Sequence, residues 1–597
     1  MKRDHIIAGC LLASLMWSCN TLDIPNLSSY DANSVWNDEN LSSAYLTNLY
    51  PAVFTNWDTG NGADQNSEQT SGMPFYANVV TETTGDGYKK WHYTNIRNLN
   101  EAIVQMAAGS LPEQVKTSLT AQALFLRASL YFDMVMHHGG MPIIETPQTI
   151  GVDDLDVARN STAECFDFIL KDIDTAIAGL PARIASGSAD YGRIDQTYAK
   201  AFKAKVLLYK ASPLFNPANP YSNPRWTEAY AAAKEAYDFA VANGAALTPS
   251  YDDIFLVEGG AEVLMAVVNQ YPNKTEAWSN YLRPQSLTIG QISRGPTWDM
   301  LMSFPMADGK AWDDPTGKYY VATEDEFMQS FWKNRDPRFY SSVLCPGQEF
   351  PVAGTNPGYR QYTSVGIAVQ ADAYGINPDA GATSIKNDAF TGFYVRKAID
   401  LSVTADLTDR GSLDRPVMRL AELMFIYAEA ANETGHSDMT VQLLKGLRER
   451  AGIEPGDDGN FGLPASPSIE ELRELILYDR NIELCFEGHR FYDLRRTRKM
   501  MEHLEGLQKY GLESIAINPD GTDMPIAEAQ EKARTYQLTT DDFRYVKQRV
   551  PYTPAAENTF VVTEGFYFFP IQKVKLDENP NLQQNNTWGG TFNPTLE

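Results

Sequence analysis

The chain has few cysteines and histidines, and too few basic residues to balance its acids. It contains 5 Cys and 7 His among 597 residues, and 50 Lys and Arg against 76 Asp and Glu, for a net charge of −26. So few cysteines exclude a disulfide-rich framework. The negative charge disfavours nucleic acid and anionic membrane surfaces as partners, because both would repel it. With 43% hydrophobic residues, the chain can still bury a large core.

Long apolar runs are also missing, apart from one at the N-terminus. A short basic segment precedes the apolar residues 6–17, a stretch shorter than the roughly 20 residues that a membrane-spanning helix needs. This pattern predicts a signal peptide over residues 1–18. A small residue precedes Cys19, so we expect Cys19 to carry a lipid and residues 19–38 to form a lipid-anchored tether. The alternatives are acylation at Cys10, which has few apolar residues before it, and plain secretion with Cys19 as a free thiol.

Common catalytic motifs do not occur in the sequence. Walker A, GxSxG, HExxH, GxGxxG and paired CxxC patterns are all missing. Adjacent His137 and His138 would point about 100° apart on a helix, so they are poorly placed to share a metal. Cys485 and His489 lie four residues apart, but no third group is evident to orient them as a nucleophilic pair. We therefore predict a protein that is not an enzyme and that has no cofactor or metal.

Three pairs of an arginine and a carboxylate at helical spacing are the residues most similar to a glycosidase site. They are Arg419 with Glu422, Arg480 with Glu483, and Arg490 with Asp493. Glycoside hydrolysis needs a carboxyl group that stays protonated near neutral pH, whereas a neighbouring cation favours the ionised form. The spacing therefore predicts structural ion pairs on helices.

Apolar residues recur at helical spacing over much of the chain. The predicted helices cover residues 39–54, 90–108, 113–138, 161–180, 193–212, 225–243, 416–434 and 439–451. Breakers such as Pro213 and the turn at Gly435 separate them. Small residues at contact positions, among them Ala428 and Ala431, favour close antiparallel pairing. The pattern is mostly α and is typical of a tetratricopeptide-like scaffold of helix pairs.

Two parts of the chain have a different character. Gly, Pro, Asn and Asp recur every few residues, and long helical periods stop, over residues 244–415 and again over 501–597. Irregular segments on a rigid scaffold are where binding usually lies. We therefore divide the mature chain into a helical scaffold over 39–243, an irregular ligand-binding excursion over 244–415, C-terminal scaffold helices over 416–500, and an irregular C-terminal part over 501–597.

Several segments resemble motifs of the SusD/RagB family. Residues 478–496 (YDRNIELCFEGHRFYDLRR) are similar to its "ER..EL.FEG.R..DL.R" helix, and residues 91–101 (WHYTNIRNLNE) to its "W..Y..I...N" helix. Further matching segments follow in the expected order at residues 120–144, 192–209, 294–309, 335–339, 419–435 and 569–584. Because the matches extend along almost the whole chain, the sequence is identified as resembling this family.

The resemblance implies a mostly α, SusD-like fold in which four tetratricopeptide-like helix pairs carry a loop-rich binding subdomain. It implies a surface-exposed outer-membrane lipoprotein that captures nutrients for a SusC-like TonB-dependent transporter. The expected ligand is an oligosaccharide or polysaccharide. Two alternatives stay open: peptide capture, which some relatives perform and which would use backbone-pairing edges, and a surface glycoside hydrolase.

Sugar binding requires flat aromatic faces that stack on sugar rings, with polar side chains around them for the hydroxyl groups. The candidate ligand-binding residues, expected to be exposed on loops, are Trp57, Tyr76, Tyr88, Trp91, Trp278, Tyr281, Arg283, Trp312 and Tyr374. For each aromatic one, the alternative is that the large side chain pins its loop to the scaffold. Trp226 and Trp298 lie at a helix start and in a family-like motif, so we expect them in the core.

Overall fold

The computed structural model describes residues 32–57, 63–71, 80–84, 88–284, 287–289, 295–363, 391–550 and 560–597. Most of its regular structure is helical. The α-helices are α1 (Ala32–Val35), α2 (Glu39–Thr47), α3 (Tyr93–Ala108), α4 (Glu113–His138), α5 (Thr162–Gly179), α6 (Gln196–Ala211), α7 (Arg225–Ala242), α8 (Asp253–Leu256), α9 (Trp278–Leu282), α10 (Trp298–Ser303), α11 (Glu324–Met328), α12 (Pro337–Ser342), α13 (Leu420–Glu433), α14 (Ser437–Ala451), α15 (Ile469–Glu483), α16 (Arg490–Arg496), α17 (Met500–Leu504), α18 (Ile526–Arg534) and α19 (Lys573–Glu578). The strands are β1 (Val263–Val267), β2 (Val343–Leu344), β3 (Tyr394–Val395), β4 (Arg415–Arg419), β5 (Tyr510–Ala516) and β6 (Phe543–Arg549).

Local sequence signals fix several helix ends. Capping boxes start two helices: Ser161 with Glu164 begins α5, and Ser468 with Glu471 begins α15. Helix α14 ends at Gly452, whose φ of 84° is the left-handed conformation that glycine adopts most readily. These signals explain why the predicted ends of most long helices agree with the structure to within a few residues; the helix predicted over residues 39–54 instead ends at Thr47.

The long helices pack against one another, mostly as neighbours along the chain. Helix α4 packs between α3 and α5, α6 pairs with α7, and α13 contacts α7, α14 and α15. The prediction of a mostly α fold built from paired helices is confirmed. One difference is that residues 415–419 form strand β4 before α13 begins, because they pair with β1. No helix in the described ranges is long and apolar enough to cross a membrane.

Three two-stranded antiparallel sheets connect distant parts of the chain. Strand β1 pairs with β4, β2 with β3, and β5 with β6. The first pairing places Val263 opposite Arg419, so the start of the irregular region lies beside the start of α13. The third joins two segments of the C-terminal part, from Tyr510 opposite Arg549 to Ala516 opposite Phe543.

The buried apolar residues form two cores. The first contains the long scaffold helices and a C-terminal segment around residues 560–571. The second contains the irregular region after residue 250, the turn after α15, and the paired strands β5 and β6 with their neighbours. Trp226 and Trp298 are 2% and 0% exposed, so the prediction that both lie in the core is confirmed.

A buried network of ion pairs joins the two cores, and we call it the Glu483 cluster. Its four cations and four carboxylates are Arg338, Lys397, Arg419, Arg450, Asp336, Glu262, Glu483 and Glu487. At its centre, Glu483 binds Arg419 at 2.6 Å and Arg338 at 2.9 Å, and it also pairs with Arg450. The charges balance, as a buried network requires.

The predicted ion pairs are structural, but their partners are wrong. Arg419 pairs with Glu262, Glu483 and Glu487 instead of Glu422. A separate cluster joins Arg480 to Asp493 at 2.6 Å, while Arg490 pairs with Glu68. Helical spacing identifies neighbours on an exposed helix face, whereas these side chains point into the interior and meet residues from other elements.

Candidate functional site

A cavity of about 550 Å³ opens between the helices after residue 470, the segment 63–71 and the start of α10. Its described lining residues are Glu68, Asp299, Met302, Ser303, Trp312, Glu474, Leu477, Tyr478, Asn481, Arg490, His503 and Leu507. This volume lies within the range of about 300–1,000 Å³ that small-molecule sites occupy. Of the ligand-binding residues predicted from the sequence, Trp312 alone is among these described lining residues. We therefore call this site the Trp312 cavity.

Side-chain hydrogen bonds hold the segment 63–71 against α15, the turn that follows it, and Lys509. The Gln69 amide donates to Asn481 Oδ1 at 2.8 Å and accepts from the Phe486 backbone at 3.3 Å. Lys509 Nζ donates to the carbonyls of Gln65 and Thr70 at 2.7 and 2.6 Å. The segment has no helical periodicity of its own, so these long-range hydrogen bonds are what place Glu68 in the cavity wall.

Glu68 and Arg490 form a buried ion pair with one unused group on each side. Arg490 Nε donates to Glu68 Oε1 at 2.6 Å, and Nη2 lies 2.6 Å from the same oxygen as an ion-pair contact. The two residues are 9% and 6% exposed. Glu68 Oε2 and Arg490 Nη1 have no hydrogen-bond partner in the described part of the chain. A buried polar atom without a partner is costly, so a ligand group that offers both a donor and an acceptor would remove this cost.

Asp299 adds a second acceptor to the wall. Thr297 caps α10 by accepting from the Met300 backbone at 3.1 Å, which fixes Asp299 in the first turn. Burial raises the pKa of the Asp299 carboxyl to about 6, while Lys547 acts in the opposite direction. Its Oδ2 lacks a hydrogen-bond partner among the described residues. A carboxylate kept desolvated and unpaired is typical of functional sites, since it reduces stability unless a ligand binds it.

His503 completes the polar wall of the cavity from helix α17. Burial, and then the charge of Arg490, lower the pKa of its imidazole, so the ring is neutral at neutral pH. Its Nε2 has no hydrogen-bond partner within the described ranges. Glu474, Glu502 and His503 lie close enough to suggest a metal site. However, Lys499 binds Glu474 at 2.9 Å and Glu502 at 2.7 Å, so an ammonium group already lies between the two acids and competes with a metal ion for them.

Trp312 supplies the aromatic surface of the cavity. Its indole is partly exposed and stacks on Phe327 with ring centroids 4.6 Å apart and an interplanar angle of 18°. Gly309, three residues earlier, has a φ of 78°, and a Cβ there would lie 2.3 Å from the Phe461 carbonyl. This close approach holds the loop against the scaffold and so fixes the position of Trp312. The prediction that Trp312 lies on a loop is confirmed, but the side chain, which was expected to be exposed, is partly buried against the second core.

Trp57 and Trp278, both sequence-predicted, come together outside this cavity. Their rings meet edge to face with centroids 5.0 Å apart. Trp278 is only 3% exposed and donates from Nε1 to the Lys397 carbonyl at 2.8 Å. Trp57 is partly buried and donates to the Pro416 carbonyl at 2.9 Å. The expectation that Trp278 is exposed on a loop is wrong, because it begins α9 and its indole pins that helix to the core.

Four more predicted residues lie apart from the Trp312 cavity. Arg283 is 0% exposed and donates to the Val403 carbonyl at 2.7 Å, while Tyr281 in α9 is partly exposed. Tyr88 is 7% exposed and stacks on Phe569 at 4.8 Å. Trp91 is partly buried against the first core. The expectation that Arg283 and Tyr88 are exposed is therefore wrong, since both side chains anchor their segments. A ligand role for Tyr281 or Trp91 stays a prediction.

Three predicted residues lie outside the described residues. They are Cys19, Tyr76 and Tyr374. Lipidation of Cys19 and ligand binding by the two tyrosines therefore stay predictions.

Cys485 and His489 do not have the properties of a nucleophile pair. Burial raises the pKa of the Cys485 thiol, and burial lowers the pKa of His489 to about 4. Both groups are therefore uncharged at neutral pH, whereas the reactive form would need a thiolate. The thiol lies 3.6 Å from the Ser342 hydroxyl and is fully buried.

Sequence reasoning missed the polar residues of the Trp312 cavity. Arg490 was noted, but as a partner of Asp493, and Asp299 follows directly after the core residue Trp298. Glu68 and His503 carry no sequence signal that separates them from other surface residues. Only the approach of segment 63–71 to helix α16 brings these groups together.

Comparison with known proteins gives consistent matches. A family model described as "SusD family" matches residues 261–588, and one described as "Starch-binding associating with outer membrane" matches residues 23–208. A SusD-like protein of Bacteroides ovatus is 28% identical over 503 residues, covering 82% of this chain and 78% of that protein.

Solved structures have the same fold. A SusD-like protein from Bacteroides fragilis superposes with a TM-score of 0.69 at 24% identity, covering 93% of this chain and 98% of its own. A SusD-like carbohydrate-binding protein from the same organism gives 0.67 at 20% identity, covering 92% of this chain and 99% of its own.

Proposed function

Because this chain belongs to the SusD family, we propose that it is a glycan-binding protein that captures oligosaccharides without cleaving them. The observation that supports this proposal is the Trp312 cavity, about 550 Å³ in volume, in which a partly exposed indole lies among polar atoms without partners. One similar structure is of a carbohydrate-binding protein. An aromatic face for the ring and unpaired donors and acceptors for the hydroxyls are what a sugar needs.

The chemistry of the cavity suits a hydroxyl-rich ligand. A sugar hydroxyl can accept from Arg490 Nη1 and donate to Glu68 Oε2, so it satisfies both unused groups of the ion pair. Asp299 Oδ2 has no hydrogen-bond partner among the described residues, so a further hydroxyl that reached it would supply the missing donor. Hydrogen bonds to charged groups are stronger than neutral ones, so these contacts would fix the orientation of the ring against Trp312.

The ligand role of Trp312 can be tested by substitution. In the soluble form that begins at residue 20, Trp312→Ala should weaken binding to the best glycan of a polysaccharide panel by about 1–3 kcal/mol, the usual scale for a lost aromatic hot spot. Isothermal titration calorimetry measures this change. Trp332→Ala is the matched control, because Trp332 is also partly buried in the second core but does not line the cavity.

Three outcomes would change the proposal. Equal losses in the two variants would mean that Trp312 acts through stability. Unchanged binding by Trp312→Ala would move the site elsewhere, with Trp57 and Tyr281 as the next candidates. Binding of peptides, with no glycan bound across the panel, would replace the sugar by a peptide ligand.

We further propose that Cys19 carries a lipid at the outer membrane and that the protein delivers glycans to a SusC-like TonB-dependent transporter. The family description that matches residues 23–208 includes association with the outer membrane, and this supports the location. Affinity purification of the full-length protein from gently solubilised outer membranes should recover a TonB-dependent transporter in near-equal amount. Recovery of the protein alone after crosslinking would contradict delivery to a transporter.

One observation favours a second candidate, a surface glycoside hydrolase. Asp299 has a raised pKa, which is the property of a general acid in glycoside hydrolysis. Against this, Glu68, the only other buried carboxylate among the described lining residues, faces two nitrogens of Arg490. Chromatography of a bound glycan after long incubation decides the matter. Unchanged chain length supports capture, and shorter products that disappear with Asp299→Asn would establish hydrolysis.

A further inference from the structure

We infer that the Trp312 cavity selects uncharged sugars and rejects glycans that carry carboxylate or sulfate groups. This inference rests on the proposed glycan-binding function and adds the chemical class of the ligand. It follows from the charges of the described side chains that line the cavity and from how each one is already paired.

The cavity wall has more negative than positive charge. Its carboxylates are Glu68, Asp299 and Glu474, and its only guanidinium among the described lining residues is that of Arg490. Arg490 is neutralised by Glu68 at 2.6 Å, and Glu474 by Lys499 at 2.9 Å. Asp299 remains: its Oδ2 has no hydrogen-bond partner among the described residues, and Lys547, the cation that lowers its pKa, is bound to Glu324 at 2.7 Å. The lining that the structure describes thus presents one uncompensated negative charge to a ligand.

The other ionisable side chains of the wall do not reverse this sign. Burial and the charge of Arg490 keep His503 neutral at neutral pH. Burial raises the pKa of the Tyr478 phenol, so that ring is neutral as well. No described lining residue therefore supplies a free positive charge for an anionic ligand.

Arg490 itself is poorly arranged to bind an anion. A guanidinium recognises carboxylate or sulfate through two parallel N–H groups. In this structure Nε donates to Glu68 Oε1 and Nη2 lies 2.6 Å from the same oxygen, so both nitrogens face Glu68, while Nη1 has no hydrogen-bond partner among the described residues. One N–H beside a carboxylate oxygen matches a hydroxyl group, which accepts from the nitrogen and donates to Glu68 Oε2. A carboxylate or sulfate oxygen cannot donate, so it would meet Glu68 Oε2 as a repulsive contact.

The test compares neutral and anionic polysaccharides on the soluble form that begins at residue 20. The neutral probes are starch, laminarin, xylan and galactomannan, and the anionic probes are polygalacturonate, alginate and sulfated carrageenan, all in affinity gels followed by calorimetry. The best neutral probe should bind at least about 10-fold and up to about 100-fold more tightly than any anionic one, as expected for one unscreened charge contact in a protein environment. Tighter binding of an anionic probe than of every neutral one would overturn the inference while leaving glycan binding intact.

Two variants show whether the cavity is the cause. Asp299→Asn removes the uncompensated charge and keeps the side-chain shape, so it should reduce the preference for neutral probes about 10-fold. The matched control is Asp313→Asn, because Asp313 is an exposed acid near Trp312 that does not line the cavity. An unchanged preference in Asp299→Asn, with the protein folded and binding its neutral probe, would overturn the inference. Failure of all probes to bind contradicts the proposed function instead.

Discussion

Neutralising Glu483 should strongly destabilise the protein. Its carboxylate is 0% exposed, with Arg419 Nη1 at 2.6 Å on one oxygen and Arg338 Nη1 at 2.9 Å on the other. Arg450 also pairs with it. Although burial opposes ionisation, these three arginines hold the pKa of Glu483 far below its usual range. The side chain is therefore a fixed anion at the centre of the Glu483 cluster.

The size of the effect follows from the charge balance of that cluster. Glu483→Gln keeps the shape of the side chain, so no cavity forms, but it leaves four cations against three carboxylates. Removing one partner of a buried ion pair typically costs about 3–5 kcal/mol, because the remaining charge is left uncompensated. We expect the free energy of unfolding to fall by this amount, which is a large fraction of the stability of most proteins.

Chemical denaturation of the soluble form at about neutral pH measures the change. Glu454→Gln is the control, since Glu454 pairs with Lys318 at 2.9 Å on the surface. This substitution should change the free energy of unfolding very little. The double variant Glu483→Gln/Arg450→Gln restores the balance of charges, so its loss should be smaller than the sum of the two single losses by about 0.5–3 kcal/mol. A loss below about 1 kcal/mol for Glu483→Gln, or strict additivity in the double variant, would refute the reasoning.

Three other predictions address the buried aromatic, the cavity acid and the anchor. Trp278→Ala should lower the free energy of unfolding by about 3–5 kcal/mol in a denaturant titration, because its indole is 3% exposed; a stable variant with weakened glycan binding would contradict this. Asp299→Asn should raise the free energy of unfolding at neutral pH by about 1–3 kcal/mol. The reason is that the pKa of Asp299 rises from 3.8 to about 6 on folding, so the stability of the wild-type protein falls as pH increases between those values. The stability gained by Asp299→Asn should therefore disappear near pH 3.8. A gain that does not depend on pH would exclude this cause. Cys19→Ala should move the protein from the outer-membrane fraction to the soluble fraction; retention after a high-salt wash would indicate another tether.

Trp278→Ala is expected to lower the free energy of unfolding and Asp299→Asn to raise it, and the opposite signs have a physical reason. The indole of Trp278 fills core volume and has a partner for its N–H, so its removal loses packing and a hydrogen bond. The carboxylate of Asp299 is desolvated without a partner, so its ionisation costs stability. Functional sites often contain such unfavourable groups, because a ligand supplies the missing partner.

Much of the helical scaffold was predictable because its signals are local. The capping box at Ser161 and Glu164 starts α5 in the structure as helix rules predict. The helix predicted over residues 113–138 is observed over the same residues. By contrast, residues 415–419 are a strand because β1, about 150 positions earlier, pairs with them. No local period carries that information.

The candidate site was only partly predictable. Trp312 was identified because a tryptophan among Gly and Asp residues indicates a loop, and the structure confirms the loop, although the ring is partly buried. The same reasoning selected Trp278, whose ring is buried because the Lys397 carbonyl, 119 positions later, accepts its N–H. Loop composition therefore distinguished irregular segments from helices, but it did not distinguish a ligand platform from a loop anchor.

The sequence by itself determined the positions of most of the long helices, the SusD family and the burial of Trp226 and Trp298, since these depend on periodicity and short motifs. Only the tertiary structure decided which charges meet. Arg490 lies three residues before Asp493 on α16, yet its partner is Glu68, more than 400 positions away along the chain. The cavity and its unpaired polar atoms arise from that long-range contact. Helical spacing fixes the face on which a side chain lies, and the packing of the whole chain determines what that face meets.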